Sequence, residues 1–183
     1  MNAILLSAGF GTRFRPYTET VAKPTIPFIN LPLIAYSMYY ANKWSCPEIV
    51  INTHHLPQTI FECVNFLSKR LSCDVNFLNE SPNILDSGGG IKNAESLLNE
   101  NDNFLVFNTD IPHVLPNIDF QKIISEHNNS NSLVTFLTCD LDNLGSKIKG
   151  IWTKESSNMV FDIGLGPKQN LICKHYIGVM LVS

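Results

Sequence analysis

The sequence predicts an α/β protein in which helices cover both faces of a mostly parallel sheet. Three observations support this prediction. Short apolar runs, the first at residues 4–6, alternate with longer stretches whose apolar residues recur at helical spacing. Polar or glycine-rich segments separate most of these stretches. Strands that alternate with helices pair in parallel, so ligands are expected at the carboxyl ends of the strands.

The elements follow from local composition in chain order. Three apolar residues directly before a glycine turn predict the first strand, and the β-branched run at 48–52 predicts another core strand. Pro32 indicates the start of a helix at 33–43, and one apolar stripe predicts the helix at 57–70. The remaining pattern predicts strands at 74–78, 104–107 and 133–138, helices at 91–98 and 118–127, and short strands joined by glycine turns from residue 147.

Length, charge and cysteine content restrict the functional classes. The 183 residues, 44% of them hydrophobic, are enough for a single domain over residues 1–183. A net charge of -3 and a pI near 5.9 argue against a nucleic-acid or anionic-membrane partner. No apolar run could span a bilayer, and no basic leader precedes the first strand. The five cysteines form no C-x-x-C pair, which is typical of reduced thiols in a cytoplasmic protein.

The segment after the first strand has the composition of a polyphosphate-binding loop. Residues 7–12 are mostly small and include Gly9 and Gly11, where no side chain hinders a ligand's approach to the backbone. Backbone amides backed by cations at the carboxyl end of a strand suit phosphate groups. Neither a P-loop nor a complete dinucleotide fingerprint occurs, since Phe14 stands at the third glycine position. Three cations follow within a short distance, namely Arg13, Arg15 and Lys23.

Two further loops follow predicted strands. Residues 88–90 are three consecutive glycines, and a capping turn with Ser87 as N-cap would explain only one of them. Asp110 follows the strand at 104–107, where a carboxylate facing a phosphate loop suits Mg²⁺. On its own Asp110 is better explained as a turn or N-cap residue. Beside the other two loops, metal binding is favoured.

The first loop resembles the opening signature of the sugar-phosphate nucleotidyltransferases, L-A-A-G-x-G-T-R-L-R-P-L-T-x-x-x-P-K-P. Ser7 replaces an alanine of that signature, and Ala22 replaces the proline before the lysine. Eleven positions match without a gap: Leu6, Ala8, Gly9, Gly11, Thr12, Arg13, Arg15, Pro16, Thr18, Lys23 and Pro24.

The other two loops resemble the same family. The segment L-D-S-G-G-G-I at 85–91 is similar to the family's L-x-T-G-G-G-I. This version is typical of N-acetylmuramate-1-phosphate uridylyltransferases and related mannose-1-phosphate guanylyltransferases. Asn108 and Asp110 match the family's N-G-D, in which Thr109 replaces glycine and is expected to tighten the turn.

The resemblance implies a nucleotide-diphospho-sugar transferase fold, which is a Rossmann-like, mixed and mostly parallel sheet. It implies transfer of a nucleotidyl group from an NTP, with UTP or GTP favoured, to a sugar 1-phosphate, with Mg²⁺ as cofactor. The implied catalytic residues are Arg13, Lys23 and Asp110, with Asp110 as the Mg²⁺ ligand and Asn108 as the sugar contact. The implied nucleotide-binding residues are Ala8, Gly9, Gly11, Thr12, Arg13, Lys23, Glu80, Ser87, Gly88 and Gly89.

One segment of the family pattern is missing. Relatives carry W-x-D-[IV]-G-T with a second metal carboxylate, and no such string occurs in this sequence. We therefore expect either a C-terminally incomplete domain or a shortened homologue. The other interpretations left open are a non-catalytic or weakly active nucleotide- or nucleotide-sugar-binding homologue, a cytidylyltransferase that acts on phosphocholine, and an α/β interaction module.

Overall fold

The computed structural model describes residues 1–98, 102–141 and 148–183. These residues form two compact units, Met1–Thr135 with Met180–Ser183, and Phe136–Val179. The single domain predicted for residues 1–183 stays a prediction. Among the helices described, none combines the length and the apolar character needed to cross a membrane.

The described residues contain four α-helices, ten strands and four short 3-10 turns. The helices are α1 (Leu33–Lys43), α2 (Pro57–Leu71), α3 (Asp86–Asn93) and α4 (Phe120–Asn129). The strands are β1 (Ala3–Leu6), β2 (Pro27–Phe28), β3 (Leu31–Pro32), β4 (Glu48–Thr53), β5 (Asp74–Asn79), β6 (Phe104–Asn108), β7 (Val134–Cys139), β8 (Gly150–Thr153), β9 (Val160–Gly164) and β10 (Ile172–Val182). The 3-10 turns cover Thr12–Phe14, Tyr17–Glu19, Lys23–Thr25 and Glu95–Leu97.

The first unit is built on a parallel sheet in the order β5-β4-β1-β6. β1 pairs with β4 and β6, and β4 pairs with β5, all in parallel. Met180 and Val182, at the end of β10, pack against a cluster of buried residues on this sheet that includes Ile4 and Val106. Because the four strands run in one direction, the loops that follow them all leave one edge of the sheet.

The core of this unit lies on both faces of the sheet. Trp44, directly after α1, stacks on Phe107 of β6 with the ring centroids 6.0 Å apart. Val106, the residue before Phe107 in β6, points to the opposite face of the sheet, since successive side chains of a strand alternate. The predicted sheet with helices on both faces is therefore confirmed. The opposite face carries a cluster of four buried residues from three strands and the end of α3, namely Ile4, Val50, Ala94 and Val106.

The second unit contains an antiparallel sheet. β8 pairs with both β9 and β10, and the Trp152 Nε1–H of β8 donates to the carbonyl oxygen of Gly164 at 3.0 Å. The prediction of only short strands after residue 147 is wrong for β10, which has eleven residues. Gly178, at a φ of 80°, lies inside this strand and does not end it.

Most predicted boundaries agree with the structure to within two residues, but the helix predicted at 91–98 is wrong. Helix α3 runs from Asp86 to Asn93, so the three glycines lie inside the helix and not before it. Leu85 and not Ser87 occupies the N-cap position, and it makes no side-chain cap. Local sequence could not reveal this helix, because glycine disfavours helix formation and only packing by other elements compensates.

Candidate functional site

The loops after β1, β5 and β6, together with the end of β4, surround a cleft of about 300 Å³ within the first unit. Most of the predicted site residues line this cleft, although they come from three separate stretches of sequence. Parallel strands place their carboxyl ends side by side, which explains why these stretches meet. The predicted residues in the lining are Ala8, Gly9, Gly11, Thr12, Arg13, Lys23, Glu80, Ser87, Asn108 and Asp110.

Lys23 and Asp110 form an ion pair at the rim of the cleft, with Lys23 Nζ 2.7 Å from Asp110 Oδ2. The lysine side chain is 17% exposed and the aspartate side chain 46% exposed. Lys23 Nζ also lies 4.9 Å from the centre of the Phe14 ring. The pair therefore joins the first loop to the loop after β6 through opposite charges that a ligand can reach.

The backbone of the first loop is held by Gly11. This residue has a φ of 62°, and a Cβ there would lie 2.9 Å from Thr18 Cγ2 and 3.0 Å from Lys23 Cβ. The Thr18 hydroxyl donates to the Gly11 carbonyl oxygen at 2.9 Å. A Cβ built at Gly9 meets nothing within 4 Å. Gly11 is thus required by the fold of the loop itself, whereas Gly9 leaves space open to a ligand.

A buried chain of hydrogen bonds connects the loop after β1 to the loop after β5 through Asn52 of β4. The Ser7 amide donates to Asn52 Oδ1 at 2.7 Å, and Asn52 Nδ2 donates to Glu80 Oε1 at 2.6 Å. Glu80 Oε2 accepts a hydrogen bond from the Leu85 amide at 2.9 Å. Asn52 was missed by sequence reasoning, and the only signal for it was a polar residue at the end of an apolar strand. Glu80 lines the cleft, and both its carboxylate oxygens are bonded to the protein, so its role in nucleotide binding stays a prediction.

Thr109 supplies a second link between loops. The residue is 1% exposed, and its hydroxyl donates to the Leu6 carbonyl oxygen at 2.7 Å. The hydroxyl oxygen of Thr109 also lies 3.1 Å from Ser7 Oγ. The sequence predicted only that Thr109, in place of glycine, would tighten the turn. In the structure its hydroxyl ties the loop after β6 to the end of β1.

The glycine run divides into residues with different surroundings. Gly88 and Gly89 do not line the cleft, and their role in nucleotide binding stays a prediction. Gly90 is buried, and a Cβ there would lie 2.5 Å from Asn52 Nδ2 and 2.8 Å from Glu80 Oε1. Asp86, at a φ of 57°, and Ser87 face the cleft at the start of α3.

The similarity of this chain to known proteins agrees with the geometry. The model of the nucleotidyl transferase family matches residues 2–144. The chain belongs to the nucleotidyl transferase family.

Relatives of the chain include mannose-1-phosphate guanylyltransferases. The chain is 28% identical over 134 residues to the mannose-1-phosphate guanylyltransferase catalytic subunit beta of Dictyostelium discoideum, which covers 73% of this chain and 37% of that protein. It is 30% identical over 128 residues to the mannose-1-phosphate guanyltransferase of Hypocrea jecorina, with 69% of this chain and 34% of that protein covered. The chain thus spans little more than a third of the length of these relatives.

Solved structures share the fold of this nucleotidyl transferase. A UDP-glucose pyrophosphorylase complexed with UDP-glucose matches with a TM-score of 0.74 at 21% identity, covering all of this chain and 75% of that one. HddC from Yersinia pseudotuberculosis complexed with GMP-PN matches with a TM-score of 0.77 at 21% identity, covering all of this chain and 76% of that one. The predicted nucleotide-diphospho-sugar transferase fold is confirmed.

Histidines near the cleft of the nucleotidyl transferase are held by the protein. His55 Nε2 donates to the Thr18 carbonyl oxygen at 2.6 Å, and His113 Nε2 donates to the Asn108 carbonyl oxygen at 3.1 Å. Burial lowers the pKa of the His113 imidazole. In the part of the chain that the structure describes, no group of three His, Cys, Asp or Glu side chains could hold a metal ion.

Proposed function

We propose that this chain acts as a sugar-1-phosphate nucleotidyltransferase. The observation that supports this most strongly is the Lys23–Asp110 pair, 2.7 Å apart, beside an open glycine loop. The lysine and the loop amides suit a chain of phosphates, and the carboxylate suits the cation that accompanies it. Such a cleft can bind a nucleoside triphosphate at the carboxyl ends of parallel strands.

The proposed reaction is an in-line displacement at phosphorus. A phosphate oxygen of the sugar 1-phosphate forms a bond to the α-phosphorus of the NTP. The bond from that phosphorus to the oxygen bridging to the β-phosphate breaks, and pyrophosphate leaves with the electron pair. No protein nucleophile takes part, so catalysis consists of positioning and charge neutralisation.

The proposed roles follow from position in the cleft. Gly9, Gly11 and Thr12 direct backbone amides at the triphosphate, and Arg13 neutralises the departing pyrophosphate. Lys23 bridges the α-phosphate and the incoming sugar phosphate. Asn108, at the end of β6, is the proposed sugar contact. The base and ribose are assigned to the loop after β5 and the first turns of α3, which include Glu80, Ser87, Gly88 and Gly89.

The donor set at Asp110 fits Mg²⁺. This ion prefers oxygen ligands and is commonly held by one or two carboxylates together with substrate phosphates. Asp110 supplies one carboxylate at the rim, next to the space proposed for the phosphates. When bound there, Mg²⁺ would offset the negative charge that develops on the transferred group. With Asp110 engaged by the ion, Lys23 would be available to phosphate oxygens.

The relatives support a choice of nucleotide. The names of several describe guanylyl transfer to mannose 1-phosphate, whereas UDP-glucose is bound by one structural neighbour. We propose GTP with mannose 1-phosphate as the first pair and UTP with a hexose 1-phosphate as the second. The predicted cytoplasmic location stays a prediction.

A substrate panel tests the proposed function. The purified chain is incubated with Mg²⁺, each of the common NTPs and a set of sugar 1-phosphates, and pyrophosphate release is measured. We expect release with GTP or UTP only when the sugar phosphate is also present. Asp110→Asn, which removes the proposed Mg²⁺ ligand, should lower this release, and Glu95→Gln, which removes a surface acid paired with Lys92 outside the cleft, serves as its control. Nucleotide binding without any release would indicate the binding homologue instead, and the absence of any NTP-dependent rise in melting temperature would indicate the interaction module.

A further inference from the structure

We propose that Asn52 and Glu80 are positioning residues. Their hydrogen bonds to the loop after β1 and the loop after β5 set the shape of the nucleotide cleft, and neither side chain takes part in the chemistry of transfer. This inference rests on the proposed function, because it assigns the cleft to a nucleotide. It adds Asn52 to the cleft residues and gives the Glu80 side chain an action through the backbone of other residues instead of a direct contact with the nucleotide.

The position of Asn52 couples two strands. Asn52 of β4 pairs in register with Leu6 of β1 and is 3% exposed. Its Oδ1 accepts from the Ser7 amide at 2.7 Å, and Ser7 is the first residue of the phosphate loop. Its Nδ2 donates to Glu80 Oε1 at 2.6 Å. The two ends of one amide group therefore connect the loop after β1 to the loop after β5.

Glu80 extends this connection to helix α3. Its Oε2 accepts from the Leu85 amide at 2.9 Å, and Leu85 is the residue directly before α3. The next residue, Asp86, has a φ of 57° and lines the cleft. Glu80 is 3% exposed, and both of its partners are donors, so both carboxylate oxygens act as acceptors. A buried carboxylate is costly unless it is fully bonded, so its bonds hold the loop in one arrangement.

Gly90 provides the space that the pair needs. A Cβ at this position would lie 2.5 Å from Asn52 Nδ2 and 2.8 Å from Glu80 Oε1, closer than such atoms approach. Helix α3 therefore packs directly on the hydrogen bond between the two side chains. Displacement of this bond would shift the phosphate loop and the start of α3 together, and both line the cleft.

A reciprocal exchange of side chains tests the proposal. Glu80→Gln places an amide NH₂ against a donor, so one of its two hydrogen bonds is lost. Asn52→Asp places two carboxylates against each other. In the double variant Asn52→Asp with Glu80→Gln, the amide introduced at position 80 donates to the carboxylate introduced at position 52. The direction of this bond is thereby reversed, while the amides of Ser7 and Leu85 still find acceptors. All three hydrogen bonds are then present again with almost unchanged volume.

Two measurements report on these variants. Calorimetry gives the dissociation constants for GTP and UTP with Mg²⁺, and hydrogen exchange in the absence of ligand reports on the Ser7 and Leu85 amides. We expect each single variant to weaken nucleotide binding by about tenfold or more, which corresponds to ~1.4 kcal/mol and to the loss of one hydrogen bond. Exchange at the two amides should accelerate. In the double variant, the dissociation constants and the amide exchange rates should return to within about threefold of the wild-type values.

A matched pair on the surface supplies the control. Gln58 Nε2 donates to Glu62 Oε1 at 2.9 Å on the exposed side of α2, which is the same amide–carboxylate bond outside the cleft. Its reciprocal exchange, Gln58→Glu with Glu62→Gln, and both single variants should leave nucleotide affinity unchanged.

The possible outcomes separate this inference from the proposed function. Wild-type affinity in folded single variants, with faster exchange at Ser7 and Leu85, would overturn it by reducing the pair to a stability role. Failure of the double variant to recover would also overturn it, since each side chain would then act on the ligand itself. If wild type binds no nucleotide, the proposed function fails. Unchanged exchange at the Ser7 and Leu85 amides in Glu80→Gln would in addition show that the side chain does not connect the two loops. If Asn52→Asp does not fold, Glu80→Gln and the double variant still give the comparison.

Discussion

At the scale of single residues, the contact most relevant to the proposed reaction joins Lys23 to Asp110. The two side chains neutralise each other in the described chain. Ion pairs with a solvent-exposed partner contribute little to folding stability, typically ~0–1 kcal/mol. A triphosphate would attract the lysine, and a cation would attract the carboxylate. Both charges can therefore serve ligand binding, although they contribute little to folding stability.

Replacement of Lys23 should therefore affect turnover more than stability. We expect Lys23→Ala to lower the rate of pyrophosphate release by at least ~100-fold, the usual cost of one electrostatic contact to a transition state. The free energy of unfolding, measured by urea titration, should stay within ~1 kcal/mol of wild type. Lys92→Ala, which breaks the surface pair with Glu95, should change neither quantity. Wild-type turnover in Lys23→Ala would remove the role assigned to this lysine.

At the scale of secondary structure elements, helix α3 is stabilised mainly by its neighbours. It contains three consecutive glycines, each of which costs roughly 1 kcal/mol of helix stability relative to alanine, and its N-cap makes no side-chain hydrogen bond. Ile91 of this helix packs against the cluster that includes Ile4 and Val50. Tertiary packing therefore compensates for poor local propensity.

Two alanine substitutions in α3 should have opposite effects. Gly90→Ala forces a Cβ into the Asn52–Glu80 bond and should destabilise the protein by ~1–3 kcal/mol, the usual cost of overpacking. Gly88→Ala, where a Cβ meets nothing within 4 Å, should stabilise it by ~0.5–1 kcal/mol through higher helix propensity. Chemical denaturation measures both values. Equal changes in the two variants would contradict the packing described around Gly90.

At the scale of the folded chain, buried histidines make stability depend on pH. His127 is 1% exposed, with Nδ1 2.8 Å from Thr135 Oγ1 and Nε2 2.8 Å from Ser183 Oγ. Burial lowers its pKa below the ordinary value of 6.5. The unfolded chain therefore takes up a proton at a higher pH than the folded chain, so the contribution to stability is present above about pH 6.5.

This contribution should decrease as the pH falls from about 7.5 toward the lowered pKa of His127. We expect the free energy of unfolding to decrease over this range, with a slope of at most ~1.4 kcal/mol per pH unit for each titrating histidine. His127→Asn should reduce the slope, although it also lowers stability at neutral pH. The slope is obtained from urea titrations at several pH values. An identical slope in wild type and variant would show that His127 does not titrate on unfolding. His113, whose pKa is also lowered by burial, should account for part of the slope that remains.

Several parts of the fold and of the cleft could be predicted because they depend on local pattern. The helix at 33–43 coincides with α1, since Pro32 marks its start and apolar residues recur at helical spacing. Lys23 and Asp110 could be proposed as neighbours because each follows a strand of a parallel sheet. Asn52 and Gly90 could not be assigned, since their role depends on partners in other elements.

The sequence by itself determined the alternation of strands and helices, and with it the edge of the sheet at which the phosphate loop, the glycine run and Asp110 would lie. Hydrophobic periodicity and residue type decide these features over a few neighbouring positions. Only the tertiary structure decided that Glu80 is bonded to Asn52 and Leu85, and that the three glycines belong to a helix. Those features arise from contacts between distant segments, where burial requires polar groups to be paired and leaves no room for a side chain at Gly90.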